Sequence, residues 1–227
     1  MASTPLRALL LAGLLAPLAA AQTDIALRQI PSGRGTNVLG EGGLTNFTTP
    51  QAVVGELGAS SAWADLNGDG FDDLVTGAPD LPSFPLSTVD DDAGHVYVIF
   101  GSATGGNPNV DPDLDLVDIT VGQAVNFVGR PGERLGTAVA AIGDVDDDGF
   151  EDVLVGAPGH DLSGRTSSGG AYILFGDADF DTLGPRVELA SFISAPSGLA
   201  TFLLGGSESA AAGSAVAGDV DVNGDGI

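Results

Sequence analysis

The stretch D-L-N-G-D-G-F-D-D occupies residues 65–73 and is followed by L-V-T-G-A-P, which ends at Pro79. The pattern returns as D-V-D-D-D-G-F-E-D at residues 144–152, followed by V-L-V-G-A-P, and begins again as D-V-N-G-D-G at residues 221–226. The first aspartates of the three copies lie 79 and then 77 residues apart. A pattern that recurs at a nearly fixed long period predicts a repeat architecture, in which each copy belongs to one structural unit.

The copies also resemble each other outside the acidic stretch. Upstream, each copy has a glycine after an apolar or small residue, at Leu57-Gly58, Leu135-Gly136 and Ala212-Gly213. Further upstream, each has a polar residue followed by phenylalanine, at Asn46-Phe47, Asn126-Phe127 and Thr201-Phe202. Downstream, the first two copies carry G-H-V-Y-V-I-F-G from residue 94 and G-A-Y-I-L-F-G from residue 170. The repeated unit is therefore much longer than the acidic stretch.

Short apolar runs surround the acidic stretches. They are rich in Val, Ile, Phe and Tyr and are bounded by Gly, Pro and Asp, a composition typical of β-strands. We predict strands near residues 59–64, 73–77, 95–100, 138–143, 152–156, 170–175 and 186–190. No sustained helical period follows residue 22, so the sequence predicts an all-β fold.

Alternate positions of each acidic loop offer oxygen ligands. Positions 1, 3, 5 and 9 supply side-chain oxygens and position 7 a backbone carbonyl, while a glycine at position 6 allows a sharp turn, as in calcium loops. Carboxylates this close repel each other unless a cation neutralises them. The chain has no cysteine, which argues against zinc or copper. The predicted Ca²⁺ ligands are Asp65, Asn67, Asp69, Phe71 and Asp73, then Asp144, Asp146, Asp148, Phe150 and Asp152, then Asp221, Asn223 and Asp225.

Two alternatives bear on this prediction. An EF-hand requires Glu at position 12, where this chain has Thr76 or Val155, and it continues into a helix, whereas an apolar strand-like run follows here. A plain hairpin turn with solvated carboxylates would also suit Asn-Gly and Asp-Gly pairs. Recurrence in the same context favours a metal site over an ordinary turn.

The loop, the Gly-Ala-Pro that follows it and the run V-Y-V-I-F-G together resemble the FG-GAP repeat of integrin alpha chains and of bacterial surface proteins. The resemblance covers roughly residues 45–227. It implies a β-propeller built from four-stranded antiparallel blades, with calcium in the loop between neighbouring strands. The segments at residues 80–93, 102–112 and 160–169 make these repeats longer than the usual family unit, and such insertions map to loops.

The predicted organisation is a signal peptide at residues 1–21, a linker at 22–44, repeat 1 at 45–123, repeat 2 at 124–200 and a truncated repeat 3 at 201–227. Arg7, a short apolar stretch and the alanines before Gln22 indicate the signal peptide, with an N-terminal membrane anchor as the alternative. A propeller needs closure to protect its strand edges, so we expect a fragment holding two to three blades.

The charge of the chain restricts its partners. The net charge is −24, with 31 acidic residues against seven basic ones, and this argues against nucleic acids and anionic membranes. A secreted or surface protein without cysteine would be stabilised by metal instead of disulfides. We therefore expect an extracellular protein or glycan as partner, and no membrane insertion once the signal is removed.

No catalytic constellation is evident. His95 is expected on a sheet face, and His160 lies near Ser163 and Ser167 without the G-x-S-x-G elbow of a hydrolase. Trp63 is expected to pack in the core between blades, with a sugar-stacking platform as the alternative. The leading hypothesis is a non-enzymatic calcium-binding module for adhesion or ligand binding, as the integrin resemblance implies. The other is a calcium-stabilised accessory domain of an extracellular hydrolase such as a phospholipase.

Overall fold

A computed structural model describes residues 25–26, 37–39, 57–83, 91–101, 113–115, 119–161, 166–189 and 198–218. The third acidic loop, with Asp221, Asn223 and Asp225, lies outside this part of the chain. The described elements are strands and one 3-10 turn at Phe180–Thr182. The strands are β1 (Ile25–Ala26), β2 (Asn37–Leu39), β3 (Ser61–Ala64), β4 (Asp73–Ala78), β5 (His95–Ile99), β6 (Asp113–Asp115), β7 (Ala124–Val128), β8 (Val139–Gly143), β9 (Asp152–Ala157), β10 (Gly170–Leu174), β11 (Arg186–Glu188) and β12 (Ala200–Leu204).

Two antiparallel four-stranded arrays form the body of the described fold. The first sheet runs β3-β4-β5-β7, with β11 added parallel to the outer edge of β7, and the second runs β8-β9-β10-β12. A small third sheet has the order β1-β2-β6. The predicted all-β fold class is confirmed, and both larger sheets have the form of propeller blades.

All seven predicted strands are present as β3, β4, β5, β8, β9, β10 and β11, with ends shifted by at most two residues. Strands β7 and β12, each the fourth of its array, were not predicted. Strands β1 and β2 lie within the residues interpreted as a linker. The repeat boundaries remain predictions, but residues 124–128, at the start of repeat 2, form a strand of the first sheet.

One apolar core joins the two sheets. Along β5, Val96 and Val98 face the second sheet, and along β10, Tyr172 and Leu174 face the first; all four are fully buried. This alternation follows from the two-residue period of a strand, which places every second side chain on one face. Burial of these two apolar faces against each other removes them from water, and this stabilises the packing of one sheet on the other.

Glycines that recur in the repeated copies bring the backbones of the two sheets close together. A β-carbon on Gly77, in the first Gly-Ala-Pro, would lie 2.0 Å from the carbonyl oxygen of Gly136. A β-carbon on Gly156, in the second, would lie 1.9 Å from the carbonyl oxygen of Gly213. Only glycine can occupy these positions without displacing backbone, which explains why Leu-Gly and Gly-Ala-Pro recur together.

The register of the outer strands differs from the sequence alignment of the copies. Tyr97 on β5 lies opposite Asn126 on β7, whereas the matching Tyr172 on β10 lies opposite Phe202 on β12. Phe202 is therefore structurally equivalent to Asn126, and its alignment with Phe127 is wrong by one residue. Such a shift moves a side chain to the other face of the sheet: Phe127 lies opposite Val96, whereas Phe202 lies opposite Tyr172, with its ring centroid 4.4 Å from those of Tyr172 and His160.

The expected core packing of Trp63 is also wrong. Its side chain is 52% exposed. On β3 it shares a face with Ser61, while Ala64 on the opposite face is fully buried in the core between the two sheets.

Candidate metal centre

The first acidic loop folds around its own carboxylates. Oδ1 of Asp65 accepts the backbone N–H of Asp69 at 3.1 Å, and Oδ2 accepts that of Gly70 at 2.9 Å. Oδ1 of Asn67 also accepts the N–H of Asp69, and Oδ1 of Asp69 accepts that of Phe71 at 2.9 Å. Gly70 has φ +87°, a left-handed conformation that suits glycine. The loop therefore turns its alternate oxygens inward.

The second loop repeats this geometry. Oδ1 of Asp144 accepts the N–H of Asp148 at 3.0 Å, and Oδ2 accepts that of Gly149 at 2.8 Å. Oδ1 of Asp148 accepts the N–H of Phe150 at 3.0 Å, and Gly149 has φ +97°. Two loops 79 residues apart in sequence thus form the same hydrogen bonds from positions 1 and 5.

Position 9 has a second role, which the sequence did not reveal. Asp73 begins β4 and accepts the N–H of Leu66 at 3.1 Å and that of Gly101 at 2.8 Å. Asp152 begins β9 and accepts the N–H of Val145 at 2.8 Å and that of Gly176 at 2.9 Å. Both carboxylates are fully buried and tie the loop to the turn after the next strand. The recurrence of Phe-Gly before each turn was the available signal.

Three carboxylates of the second loop converge. Asp144, Asp146 and Asp152 each offer an oxygen within 4.8 Å of the others, and this is the one such acidic group among the residues that the structure describes. An all-oxygen, anionic donor set suits a hard divalent cation such as calcium and does not suit a thiophilic metal. The group could hold a metal ion, and Asp148 lies beside it in the loop. The first loop has Asn67 at the position of Asp146.

Electrostatics disfavours the fully ionised loops in the absence of a cation. Burial raises the pKa of Asp73 to about 7, the N–H groups of Gly101 and Leu66 oppose this shift, and the charges of Asp69 and Asp65 add to it. Burial also raises the pKa of Asp152, with further contributions from Asp146 and Asp148. A cation between such carboxylates would remove their repulsion, so the donor set fits the predicted ion.

A cavity of about 340 Å³ opens beside the second loop. Its walls combine carboxylates with an apolar floor, from Asp146, Asp148, Asp177 and Asp179 to Phe175, Phe180, Leu183 and Leu199. The carboxylates at positions 3 and 5 thus border a recess through which an ion can approach.

The histidines are structural parts of the described fold. His95 on β5 is fully buried, as expected for a sheet-face residue, and its Nε2 lies 2.9 Å from the carbonyl oxygen of Pro82. His160 is also buried, with Nδ1 hydrogen-bonded to Oε1 of Glu133. The same oxygen accepts the hydroxyl of Tyr172 at 2.6 Å. Glu133 was not singled out in the sequence, because a glutamate is ordinarily exposed.

The serines near His160 do not form a triad with it in the described residues. The N–H of Ser167 donates to Asp161 at 2.6 Å, and Ser163 lies outside the described residues. Within the described part of the chain, no helix is both long and apolar enough to span a membrane.

Comparison with known proteins identifies the repeats. Residues 57–99 and 135–174 match the family model described as FG-GAP repeat. Phosphatidylinositol-glycan-specific phospholipase D of Bos taurus is 38% identical over 139 residues, which is 59% of this chain and 15% of that protein. Integrin alpha-4 of Xenopus laevis is 34% identical over 102 residues, which is 45% of this chain and 8% of that protein.

A third relative matches more of the chain. Integrin alpha pat-2 of Caenorhabditis briggsae is 32% identical over 179 residues, which is 75% of this chain and 12% of that protein. The chain thus spans no more than 15% of these relatives. Each matched segment starts at the leucine that precedes Gly58 or Gly136 and ends in β5 or β10, and so includes one acidic loop. The two sheets are therefore built on FG-GAP repeats, and this chain is an FG-GAP repeat protein similar to integrin alpha chains.

Proposed function

We propose that this chain is a calcium-stabilised β-propeller module of a secreted or cell-surface protein, and that it binds an extracellular protein or glycan. The carboxylate group of Asp144, Asp146 and Asp152 carries the proposal, because it lies in the loop that recurs with the FG-GAP repeat. The similarity to integrin alpha chains supports a binding role over a catalytic one.

Calcium would supply positive charge and high coordination number to an all-oxygen site. In the second loop, Asp144, Asp146, Asp148 and Asp152 would hold it with the carbonyl group of Phe150. In the first loop, Asp65, Asn67, Asp69 and Asp73 would do so with the carbonyl group of Phe71. Positions 1 and 9 are held by backbone N–H groups, so the chain orients these carboxylates before any ion binds.

The partner would contact loops, because rigid sheets position loops for binding. The segments at residues 80–93 and 160–169 are the candidate contact surface. A net charge of −24 opposes nucleic acid and anionic lipid as partners. The N-terminal segment at residues 1–21 and the absence of cysteine support export of a metal-stabilised protein.

Calcium dependence of stability tests the metal part. A ligand that binds the folded state alone stabilises by about 2.7 kcal/mol at a hundredfold excess over its dissociation constant. We expect melting with calcium to exceed melting with a chelator by several degrees, and Asp146→Asn to reduce the difference. Glu208→Gln, which alters an exposed acid far from the loop in sequence, is the matched control. Equal melting with calcium and with chelator would overturn the calcium assignment.

Direct binding tests the ligand part. The chain, with and without calcium, would be applied to immobilised extracellular-matrix proteins and to a glycan array. We expect calcium-dependent binding to at least one of them, and a protein that melts differently with calcium but binds to neither would contradict the adhesion role alone.

A second candidate function follows from one relative. The match to phosphatidylinositol-glycan-specific phospholipase D is 38% identical over 139 residues, so the repeats could serve as the accessory domain of an extracellular hydrolase. Hydrolysis of a phosphatidylinositol-glycan by the full-length gene product, but not by residues 22–227, would favour this candidate over the adhesion module.

A further inference from the structure

The two acidic loops touch each other at position 1 of the first loop. The N–H of Asp65 donates to Oε2 of Glu151 at 2.9 Å, although the two residues are 86 positions apart. In return, the N–H of Glu151 donates to the carbonyl oxygen of Asp65 at 3.3 Å. Glu151 is position 8 of the second loop and is not among its predicted ligands, so its carboxylate serves the first loop instead.

Two further contacts join the loops. The ring of Phe150 lies against Gly68, where a β-carbon would come within 2.5 Å of ring atom Cε1. The N–H of Asp177 donates to the carbonyl oxygen of Leu66 at 2.9 Å. Positions 7 and 8 of the second loop, and the turn after β10, therefore define the shape of the first loop.

A continuous backbone path connects the two position-9 carboxylates. Asp152 holds the N–H of Gly176 at 2.9 Å, and the next residue, Asp177, donates to the carbonyl oxygen of Leu66. The N–H of Leu66 in turn donates to Asp73 at 3.1 Å. An ordered second loop thus restrains the backbone on which the ligands of the first loop are mounted.

We propose that the cation affinities of the two loops are coupled and that Glu151 is the positioning residue that couples them. A cation in the second loop fixes Phe150 and Glu151, and Glu151 then holds Asp65 in place for the first cation. The first loop has then already lost part of its conformational freedom before its own cation binds, and this raises the affinity of the first loop for that cation. This inference rests on the proposed calcium sites.

The chain contains its own reporter of the first loop. Trp63 is its only tryptophan, is 52% exposed and precedes Asp65 by two residues at the end of β3. Calcium would be titrated into chelator-treated protein while the emission of Trp63 is followed. Asp146→Asn weakens only the second loop, so coupling predicts that it shifts the Trp63 midpoint to about fivefold higher calcium, the lower end of typical coupling between sites.

Variants at position 8 separate the coupling from plain charge loss. Glu151→Ala removes the acceptor for the N–H of Asp65, whereas Asp72→Ala removes an exposed acid at the same position of the first loop. In the Glu151→Ala background, we expect Asp146→Asn to leave the Trp63 midpoint unchanged. In the Asp72→Ala background, we expect it to retain its fivefold effect. Glu151→Gln keeps an acceptor oxygen and should retain most of the coupling.

The outcomes distinguish this inference from the proposed function. Identical Trp63 midpoints in the parent chain and Asp146→Asn, with calcium binding visible by calorimetry, would overturn the coupling and leave the calcium sites in place. A shift that persists in Glu151→Ala would overturn the role of Glu151. Calorimetry without any binding heat, together with unchanged melting, would overturn the calcium sites and the coupling together.

Discussion

The aromatic ring of Phe150 lies directly against Gly68, and these residues belong to different repeats. The contact leaves no room for a side chain at residue 68, since a β-carbon there would lie 2.5 Å from Cε1 and 2.8 Å from Cδ1 of the ring. Gly68 also has φ +69°, so the residue is restricted by its backbone and by its neighbour.

Substitution of Gly68 separates these two restrictions. Gly68→Ala and Gly70→Ala both place a side chain at positive φ, but nothing lies within 4 Å of a β-carbon on Gly70. We expect Gly68→Ala to lose about 1 kcal/mol more free energy of unfolding than Gly70→Ala, because the ring or the loop must shift. Denaturant unfolding in chelator measures this without a contribution from bound ions. In a Phe150→Ala background the two losses should become equal; unequal losses there would contradict the assigned contact.

The glycine of the second Gly-Ala-Pro is expected to be intolerant of substitution. A β-carbon on Gly156 would lie 1.9 Å from the carbonyl oxygen of Gly213, which is backbone and has no rotamer to relieve the overlap. We expect Gly156→Ala to reduce the free energy of unfolding by about 3 kcal/mol. Gly206→Ala, with nothing within 4 Å of its β-carbon, is the control and should stay within about 0.5 kcal/mol of the parent. Similar melting of both variants would contradict the close approach.

Glu133 is expected to be the strongest determinant of stability among the acidic residues outside the loops. Its carboxylate accepts the hydroxyl of Tyr172 at 2.6 Å and the N–H of Arg130 at 2.7 Å, and also contacts Nδ1 of His160. Glu133→Ala leaves the buried hydroxyl of Tyr172 and the buried ring of His160 without their partner and should cost about 3 kcal/mol. Tyr172→Phe removes a single hydroxyl and should cost about 1 kcal/mol. If thermal melting ranks Tyr172→Phe as the more damaging change, the network is assigned wrongly.

His95 gives the stability a defined pH dependence. Burial, aided by the positive charge of Arg186, lowers the pKa of His95 from 6.5 to about 4, against opposing contributions from Pro82, Asn126 and Asp91. The unfolded chain therefore binds a proton more readily than the folded chain. The stability that neutral His95 contributes is fully present above pH 6.5 and is lost as pH falls towards 4.

The matching variant is His95→Gln, which is polar and does not titrate. We expect the stability difference between the parent chain and this variant to change by about 3 kcal/mol in favour of the variant as pH falls from 6.5 to 4. Other titrating groups are common to both proteins and cancel in the difference. A difference that stays constant over this range, measured by denaturant unfolding, would show that His95 titrates normally.

Residue patterns predicted the strands that flank the acidic loops, because Asp, Gly and Pro mark their ends. They did not predict β7 and β12. In these strands the side-chain pattern depends on the partner across the sheet: His95 packs beside Asn126, with Nδ1 3.1 Å from Nδ2, whereas Phe202 occupies the space over Gly170. The pair His95 and Asn126 in the first sheet is therefore replaced by the pair Gly170 and Phe202 in the second. The sequence of one repeat alone does not reveal this joint change.

The candidate metal site, like the fold, could be predicted only in part from the sequence. Local spacing predicted that alternate positions of the second loop would face a common centre, and the structure brings Asp144, Asp146 and Asp152 together there. Spacing could not predict the pairing of Glu151 with Asp65 or of Glu133 with Tyr172, because residues of distant segments meet only when the sheets stack. Trp63 was expected in the core because it lies among small residues before the first loop, but on β3 its side chain lies on the face opposite the buried Ala64 and is 52% exposed.

The last strand of each four-stranded array comes from the sequence repeat that follows it, and this affects how the chain could lengthen by duplication. Strand β7 completes the first sheet although it opens the second sequence repeat, and β12 stands in the same relation to the second sheet. A tandem duplication of residues 124–199 would insert a second β7, which could complete the sheet before it with β11 at its edge, and second copies of β8, β9 and β10, which would pair with β12. Every internal sheet would remain complete, wherever in the period the duplication began. Gene duplication can therefore add four-stranded sheets, but the strand at each new junction must acquire side chains that fit its new neighbour, as Asn126 fits His95 and Phe202 fits over Gly170.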